Sequence, residues 1–356
     1  MTRFPEGRAM VYCEGAFGTT NGKTAHGLVR RSRRYCVSSV VDSLCAGRDT
    51  GEMLDGKFSG IPVVGSLDEA LTLDAPTHFV VGLAPDGGRL DPAARAAVRQ
   101  AIDAGLHVDS GLHDFLSEDP ELSSLAAKRG VRIRDIRMPP HRSELHFFSG
   151  KIGEVESLRI ALLGTDSAVG KRTTAWILVD ALCAAGHTAE LIGTGQTSWM
   201  QGSRYGIVLD SLVNDFVSGE IEHAIWRCWS EQQPDVMVLE GQGSLMNPAY
   251  PGGMELLAAG RPHAVVLQHA PARTHYDGFP DHPIHALDHQ IEAVKVLSGT
   301  PVIAVTINHE GMTPAQVREA CTQIRNSTGV PAIDVLQDGP SRLLQALPRI
   351  STRARA

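Results

Sequence analysis

A chain of 356 residues is too long for one small module and suits two ordinary domains, since a domain averages roughly 150 residues. Hydrophobic residues at 42% and charged residues at 21% supply enough apolar surface for sizeable cores and exclude a disordered chain of low hydrophobicity. The formal charge of -7 gives no overall attraction to nucleic acid or anionic lipid, so neither is an expected partner. The opening MTRFPEGRAMVYCEG has no signal-peptide core, and no apolar run approaches the roughly 18 residues that would span a bilayer. A soluble, cytoplasmic protein is expected. The six cysteines are scattered without a CxxC pair, which favours reduced thiols over a disulfide framework or structural zinc.

In chain order, a strand over Ala9–Cys13 leads into the glycine-rich stretch EGAFGTTNGKTAHG and a helix running to about Arg34, followed by a strand over Cys36–Val41. Strand THFVVGLAP, helix DPAARAAVRQAIDAG, strand LHVDSG and helix ELSSLAAKRG continue an alternation that predicts parallel strands with crossover helices. The periodicity fails around RMPPHRSELHFFSGKIGEVESL, which places a boundary near residue 150. Beyond it come strand LRIALL, helix RTTAWILVDALCAA, strand TAELIG, a helical stretch through VLDSLVNDF, and helix GEIEHAIWRCWSEQ with Ser218 as its N-cap. Strand DVMVLE, strand HAVVLQ, helix HALDHQIEAVKVL, strand PVIAVTIN, helix TPAQVREACTQIR, strand AIDVL and a helix near SRLLQAL complete the pattern. The prediction is an α/β protein of two parallel sheets, a Rossmann-like domain over residues 1–150 and a P-loop NTPase-like domain over 151–356. The tail STRARA is expected to be solvated.

The sharpest chemical signal is strand LRIALL, then GTDSAVGK, then a helix. Gly164 and Gly170 allow the backbone between them (Thr165, Asp166, Ser167, Ala168, Val169) to curl around an anion, the helix N-terminus adds its positive end, and Lys171 brings a point charge. The loop has one residue more than G-x4-G-K-[ST], and Arg172 stands where the magnesium-binding hydroxyl usually sits, with Thr173 and Thr174 following. Glu240, ending strand DVMVLE beside that loop, is suited to holding a magnesium or its water, or to acting as a base. Asp166 and Asp215 are further acidic candidates. GTGQT, after strand TAELI, lies where loops line a ligand crevice, which makes Gly195, Gln196, Thr197 and nearby Arg204 candidate substrate contacts. Asn308, ending VIAVTIN, is a candidate for a nucleobase edge. His275, His282, His285 and His289 read as surface histidines, because no further metal ligand is fixed by their spacing.

In the first domain, Gly15, Gly18, Gly22, Lys23 and Thr24 sit in a strand-to-helix turn that reads as a second phosphate loop, with Lys23 and Thr24 as candidate substrate contacts. Asp42 ends the next strand where a dinucleotide fold carries its ribose-binding acid, yet no GxGxxG is present to support a nicotinamide cofactor.

GTDSAVGK, with Glu240-Gly241 after a later strand, resembles the ATP-dependent dethiobiotin synthetases. Over nearly its whole length the chain resembles the D-glutamate N-acetyltransferase-like family, in EGAFGTTNGKTAHGLVR, VVDSLCAGRDTGE, SGLHDFLSEDPEL, GTDSAVGKRTT, GTGQT, YGIVLDSLVNDFVSGEIE and EGQGSLMNPAY. The resemblance implies a Rossmann-like domain, a P-loop domain, and transfer of acetyl from acetyl-CoA to the amine of a small amino acid. It implies a base, Glu240 or Asp215, and oxyanion donors among the GTGQT amides. The likeness to dethiobiotin synthetase implies instead ATP with Mg2+ and a kinase, ligase or carboxylase reaction. A nucleotide-binding regulator or metallochaperone is a third reading, since fold alone does not fix function. Ser167 in place of the family's Cys, Ser198 in place of Gly and Asn247 in place of His cluster in the expected pocket loops, so the resemblance implies D-glutamate or a related carboxylate as substrate. A homo-oligomer is the expected assembly for an enzyme of this kind.

Overall fold

The computed structural model describes residues 4–350; the STRARA tail lies outside them. The chain divides into two compact units, residues 1–139 with 196–202, and residues 140–195 with 203–356.

The first unit contains β1 (Gly7–Tyr12), α1 (Lys23–Arg30), β2 (Tyr35–Val41), α2 (Thr50–Asp55), β3 (Val63–Val64), α3 (Leu67–Thr72), β4 (His78–Val81), α4 (Pro92–Asp103), β5 (His107–Ser110), α5 (Pro120–Arg129) and β6 (Ile133–Asp135). All its strands are parallel, in the order β3-β2-β1-β4-β5-β6, which is the doubly wound Rossmann arrangement. Helices α2 to α5 start on side-chain caps: Asp91 accepts from Ala94 N, and Asp119 from Glu121 N and Leu122 N, each satisfying donors the first turn leaves open. One sheet face packs Phe79, Val98, Ile102 and Leu122, the other Val11, Phe17, Leu28 and Met200.

The second unit runs β7 (Leu158–Gly164), α6 (Lys171–Ala184), β8 (Ala189–Gly193) and, after α7 (Gln196–Gln201) of the first unit, β9 (Tyr205–Gly206), α8 (Asn214–Gln232), β10 (Val236–Glu240), α9 (Met254–Gly260), β11 (Ala264–His269), β12 (His275–Tyr276), β13 (Phe279–Pro283), α10 (Leu287–Ser298), β14 (Val302–Ile307), α11 (Pro314–Thr328), β15 (Ala332–Ile333) and α12 (Ser341–Ala346). Its parallel sheet has the order β15-β14-β11-β7-β10-β8-β9, and β12 and β13 form a separate antiparallel hairpin. Residues Ile160 to Gly164 and all of β10 are buried, as near-continuous apolar strands covered on both faces must be. Because β10 and β11 both pair with β7, the loops that follow them flank the phosphate loop on its two sides.

Short α7 is the exception to chain order: it packs with the first unit. Met200 joins the core there, Gln201 Nε2 donates to Gly27 O and Arg31 O, and Arg34 Nε donates to Trp199 O. The Trp199 ring lies 3.5 Å from the Arg34 guanidinium and 4.4 Å from that of Arg134, so cation–π attraction adds to the burial.

Two expectations are corrected. Residues 140–150, expected with the first domain, belong to the second unit. There Glu222 of α8 accepts from Ser149 N, Ser149 Oγ and Ile152 N, and the His146 and His223 rings stack at 3.5 Å. Ser218 is not an N-cap, because α8 begins at Asn214. The glycine after it marks a close approach rather than a helix start: a Cβ on Gly219 would stand 1.9 Å from His146 O. No described helix is long and apolar enough to cross a membrane.

Candidate functional site

Between β7 and α6 the chain makes two left-handed steps, at Ala168 (φ 52) and Gly170 (φ 101), the first a strain that only glycine escapes freely. Gly164 is required by proximity, since a Cβ there would lie 2.9 Å from Lys171 Cδ and 3.0 Å from its Nζ. Gly170 is the N-cap of α6 and no side chain caps it, so the first-turn N–H groups remain available to an anion.

Lys171 is buried, and its Nζ donates to Asp166 O and Gly243 O, each at 2.8 Å. Burial pushes its ammonium down to about 8, against the opposing pull of Glu240 and Asp166. Arg172 is partly buried. Burial lowers it too, with Glu240 the carboxylate that offsets the effect.

Asp166 is fully buried and its oxygens are taken by the protein. Oδ1 accepts from Ser167 N at 2.7 Å and Asn247 Nδ2 at 2.9 Å. Oδ2 accepts from Asp277 N at 2.9 Å and Arg273 Nη1 at 3.1 Å. It therefore joins the loop after β10 and the hairpin after β11 to the phosphate loop between them. Arg273 also donates to Ser167 O and pairs with Glu310 at 2.9 Å; these partners hold it above its ordinary value although burial opposes them. Tyr250 and Phe279, one from each flanking segment, meet with ring centroids 6.5 Å apart. Gly243 (φ 51) is confined by Tyr250 O, 1.9 Å from where its Cβ would stand.

Glu240 is 6% exposed at the end of β10. Its Oε2 accepts from Thr194 N at 3.3 Å and its carbonyl from Thr194 Oγ1 at 2.8 Å; Oε1 has no partner among the described residues. The Thr194 amide is thus turned to a carboxylate and is not a free oxyanion donor. Thr174 Oγ1 and Thr306 Oγ1 both donate to Gln268 Oε1 at 2.6 Å, which holds the Gln268 amide beside Gly170. Thr165 Oγ1 pairs with His269 Nδ1 at 3.0 Å, and burial pushes this imidazole down to about 4.

The structure thus brings together Gly164 to Arg172 and Glu240. Thr173 is exposed, and Asn308 is half-buried with its Oδ1 accepting from Glu310 N at 3.0 Å. Asp215 is exposed in the first turn of α8 and makes no hydrogen bond to the phosphate loop among the described residues. Arg204 is exposed before β9, and Gly195 is half-buried. Gln196 and Thr197 lie on α7 in the first unit, where Thr197 Oγ1 and buried Thr24 Oγ1 are 3.2 Å apart; Lys23, beside Thr24, is exposed. Asp42 does not face a ribose: it is fully buried and accepts from Phe17 N and Leu44 N. Sequence reasoning missed Arg273 and Gln268, although both follow the rule that picked Glu240, a polar residue at or just past the carboxyl end of a strand beside the loop.

The family model for the P-loop domain of the domain of unknown function DUF1611 matches residues 146–344, and that for its Rossmann-like N-terminal domain matches residues 43–139. A D-glutamate N-acetyltransferase of Pseudoalteromonas sp is 33% identical over 79% of this chain and 84% of its own. Another, of Tritonibacter scottomollicae, is 29% identical over 80% and 85%. The crystal structure of a DUF1611 family protein from Anabaena variabilis superposes with a TM-score of 0.89 at 30% identity, covering 96% of this chain and 99% of that one. With two parallel sheets and a phosphate loop in the second, this chain belongs to the DUF1611 family.

Proposed function

We propose that the protein is an N-acyltransferase that moves acetyl from acetyl-CoA to the amine of a small amino acid, D-glutamate or a related carboxylate. The observation that carries this reading is the position of Glu240, a buried carboxylate with one uncommitted oxygen, whose charge acts on both Lys171 and Arg172 of the phosphate loop. The names of the two relatives, each matched over most of its length, support the same chemistry.

In this reading the α6 N-terminus and Lys171 hold coenzyme A phosphates without breaking a phosphate bond. Glu240 takes a proton from the substrate ammonium, and the freed amine attacks the thioester carbonyl. Collapse of the tetrahedral intermediate breaks the carbon–sulfur bond, and coenzyme A leaves as a thiolate that becomes the thiol with the second proton, the one the attacking nitrogen sheds as it becomes the amide. Asn247, where the family carries His, is committed to Asp166, Ala249 N and Tyr250 N; its effect on substrate choice runs through the shape of the loop.

The ATP-dependent kinase, ligase or carboxylase reading rests on the same Lys171 and Glu240 but needs a hydroxyl for Mg2+, where this chain has Arg172. The test is thiol release from acetyl-CoA against a panel of D- and L-amino acids, including D-glutamate. Release dependent on one amine, lowered about 100-fold or more in Glu240→Gln, is the expected result. Turnover that requires ATP, or near-normal turnover in the variant, contradicts the assignment.

A further inference from the structure

In loops of this type a hydroxyl directly after the lysine holds a divalent cation, and an acid from a neighbouring strand completes its shell. The donors that would do so here have other partners or other chemistry. Arg172 follows the lysine. The Thr174 hydroxyl is buried and committed to Gln268 Oε1 at 2.6 Å, and Thr173 is exposed. Asp166 receives four hydrogen bonds from Ser167 N, Asn247, Asp277 N and Arg273. No group of three or more His, Cys, Asp or Glu among the described residues is arranged to hold a metal ion.

Arg172 has the properties the missing cation would need. It stands on the first turn of α6, next to Lys171, and the charge of Glu240 acts on it. No described residue makes an ion pair or hydrogen bond with its guanidinium, and a guanidinium presents a planar fork of donors matched to phosphate oxygens.

We infer that this phosphate loop binds the diphosphate of its ligand without a divalent cation, Arg172 taking the cation's place between Glu240 and the phosphoryl oxygens. Lys171 and Arg172 then supply one positive charge for each phosphoryl group of a coenzyme diphosphate. The inference deepens the proposed acetyl-CoA reading but does not require an acetyl group.

The test is calorimetric titration of the full chain with coenzyme A, and separately with inorganic pyrophosphate, in EDTA and in Mg2+. The wild type is expected to bind both ligands with affinities that differ less than about three-fold between the two buffers, while Arg172→Ala weakens both about ten-fold or more in either buffer. Arg172→Lys should retain part of the affinity, and thermal midpoints identify any variant that has failed to fold. Arg172→Thr, which restores the hydroxyl, should bind poorly in EDTA and recover in Mg2+. Wild-type binding that disappears in EDTA, binding by Arg172→Ala equal to wild type, or no binding of either ligand overturns the inference. If pyrophosphate binds without metal and coenzyme A does not, the acyltransferase reading fails and the role of Arg172 stands.

Discussion

Asn247 Nδ2 lies 2.9 Å from Asp166 Oδ1, a bond that fixes the loop after β10 to the middle of the phosphate loop. On the other oxygen Arg273 and the Asp277 amide fix the segment after β11. One carboxylate thus sets the shape of three loops, and its role is to position the cradle rather than to contact the ligand.

Asp166→Ala should therefore destabilise strongly. It leaves the half-buried Arg273 with exposed Glu310 as its ion-pair partner among the described residues and strands Asn247 Nδ2, and breaking a buried ion pair of this kind costs about 3–5 kcal/mol. Asp166→Asn, which preserves shape, should cost less and still weaken coenzyme A binding. Urea unfolding and ligand titration of the two variants check this; wild-type stability in Asp166→Ala refutes it.

Lys171 gives a pH dependence in the alkaline range. Its folded-state value of about 8 lies below the ordinary 10.5, so the unfolded chain holds a proton that the folded chain has released across that window. Stability from this group accordingly rises with pH from about 8 to 10.5. Ligand binding behaves oppositely, because a bound anion favours the charged ammonium. Above about pH 8 binding should weaken by up to about ten-fold per pH unit, with proton uptake on binding. Titrations at about pH 9 in buffers of different ionisation enthalpy measure that uptake, and Lys171→Met should abolish it.

His269 acts at the acid end. Burial holds it near 4, down from 6.5, so between those values the unfolded chain binds the extra proton and stability falls as pH drops. The loss over the window is at most about 3 kcal/mol. Denaturation midpoints compared between about pH 7 and pH 5 should fall for the wild type and fall less for His269→Asn; equal slopes contradict the assignment.

Gly219→Ala separates close packing from helix propensity. Propensity alone favours alanine in a helix by about 1 kcal/mol, but the added Cβ would stand 1.9 Å from His146 O. The substitution should push residues 146–148 off α8 and destabilise by about 1–3 kcal/mol. Thermal unfolding that shows stabilisation refutes the packing account.

Much of this architecture is legible in the residues. Alternating apolar strands and capped helices predict both sheets, and the GTDSAVGK run predicts the loop with its Lys, because local spacing alone makes an anion cradle. What local pattern cannot carry is partnership across the chain. Nothing near Trp199 announces that α7 joins the first unit, since its partners Arg34 and Arg134 are 165 and 65 residues away. The Asp166 carboxylate reads as a ligand-facing acid until Arg273, 107 residues on, is seen to hold it. Asp42 misleads in the same way, because its bonds to Phe17 N and Leu44 N turn inward the acid that a dinucleotide fold would point at a ribose. Gly219 reads as a helix boundary for lack of any signal that a distant backbone lies against it.

Titration of the purified chain with acetyl-CoA, run beside Lys171→Ala, tests the central claim most directly. The account predicts saturable binding by the wild type, and loss of at least about ten-fold in affinity in the variant as the charge is removed from the cradle. No binding of acetyl-CoA by the wild type, or equal binding by both proteins, would contradict it.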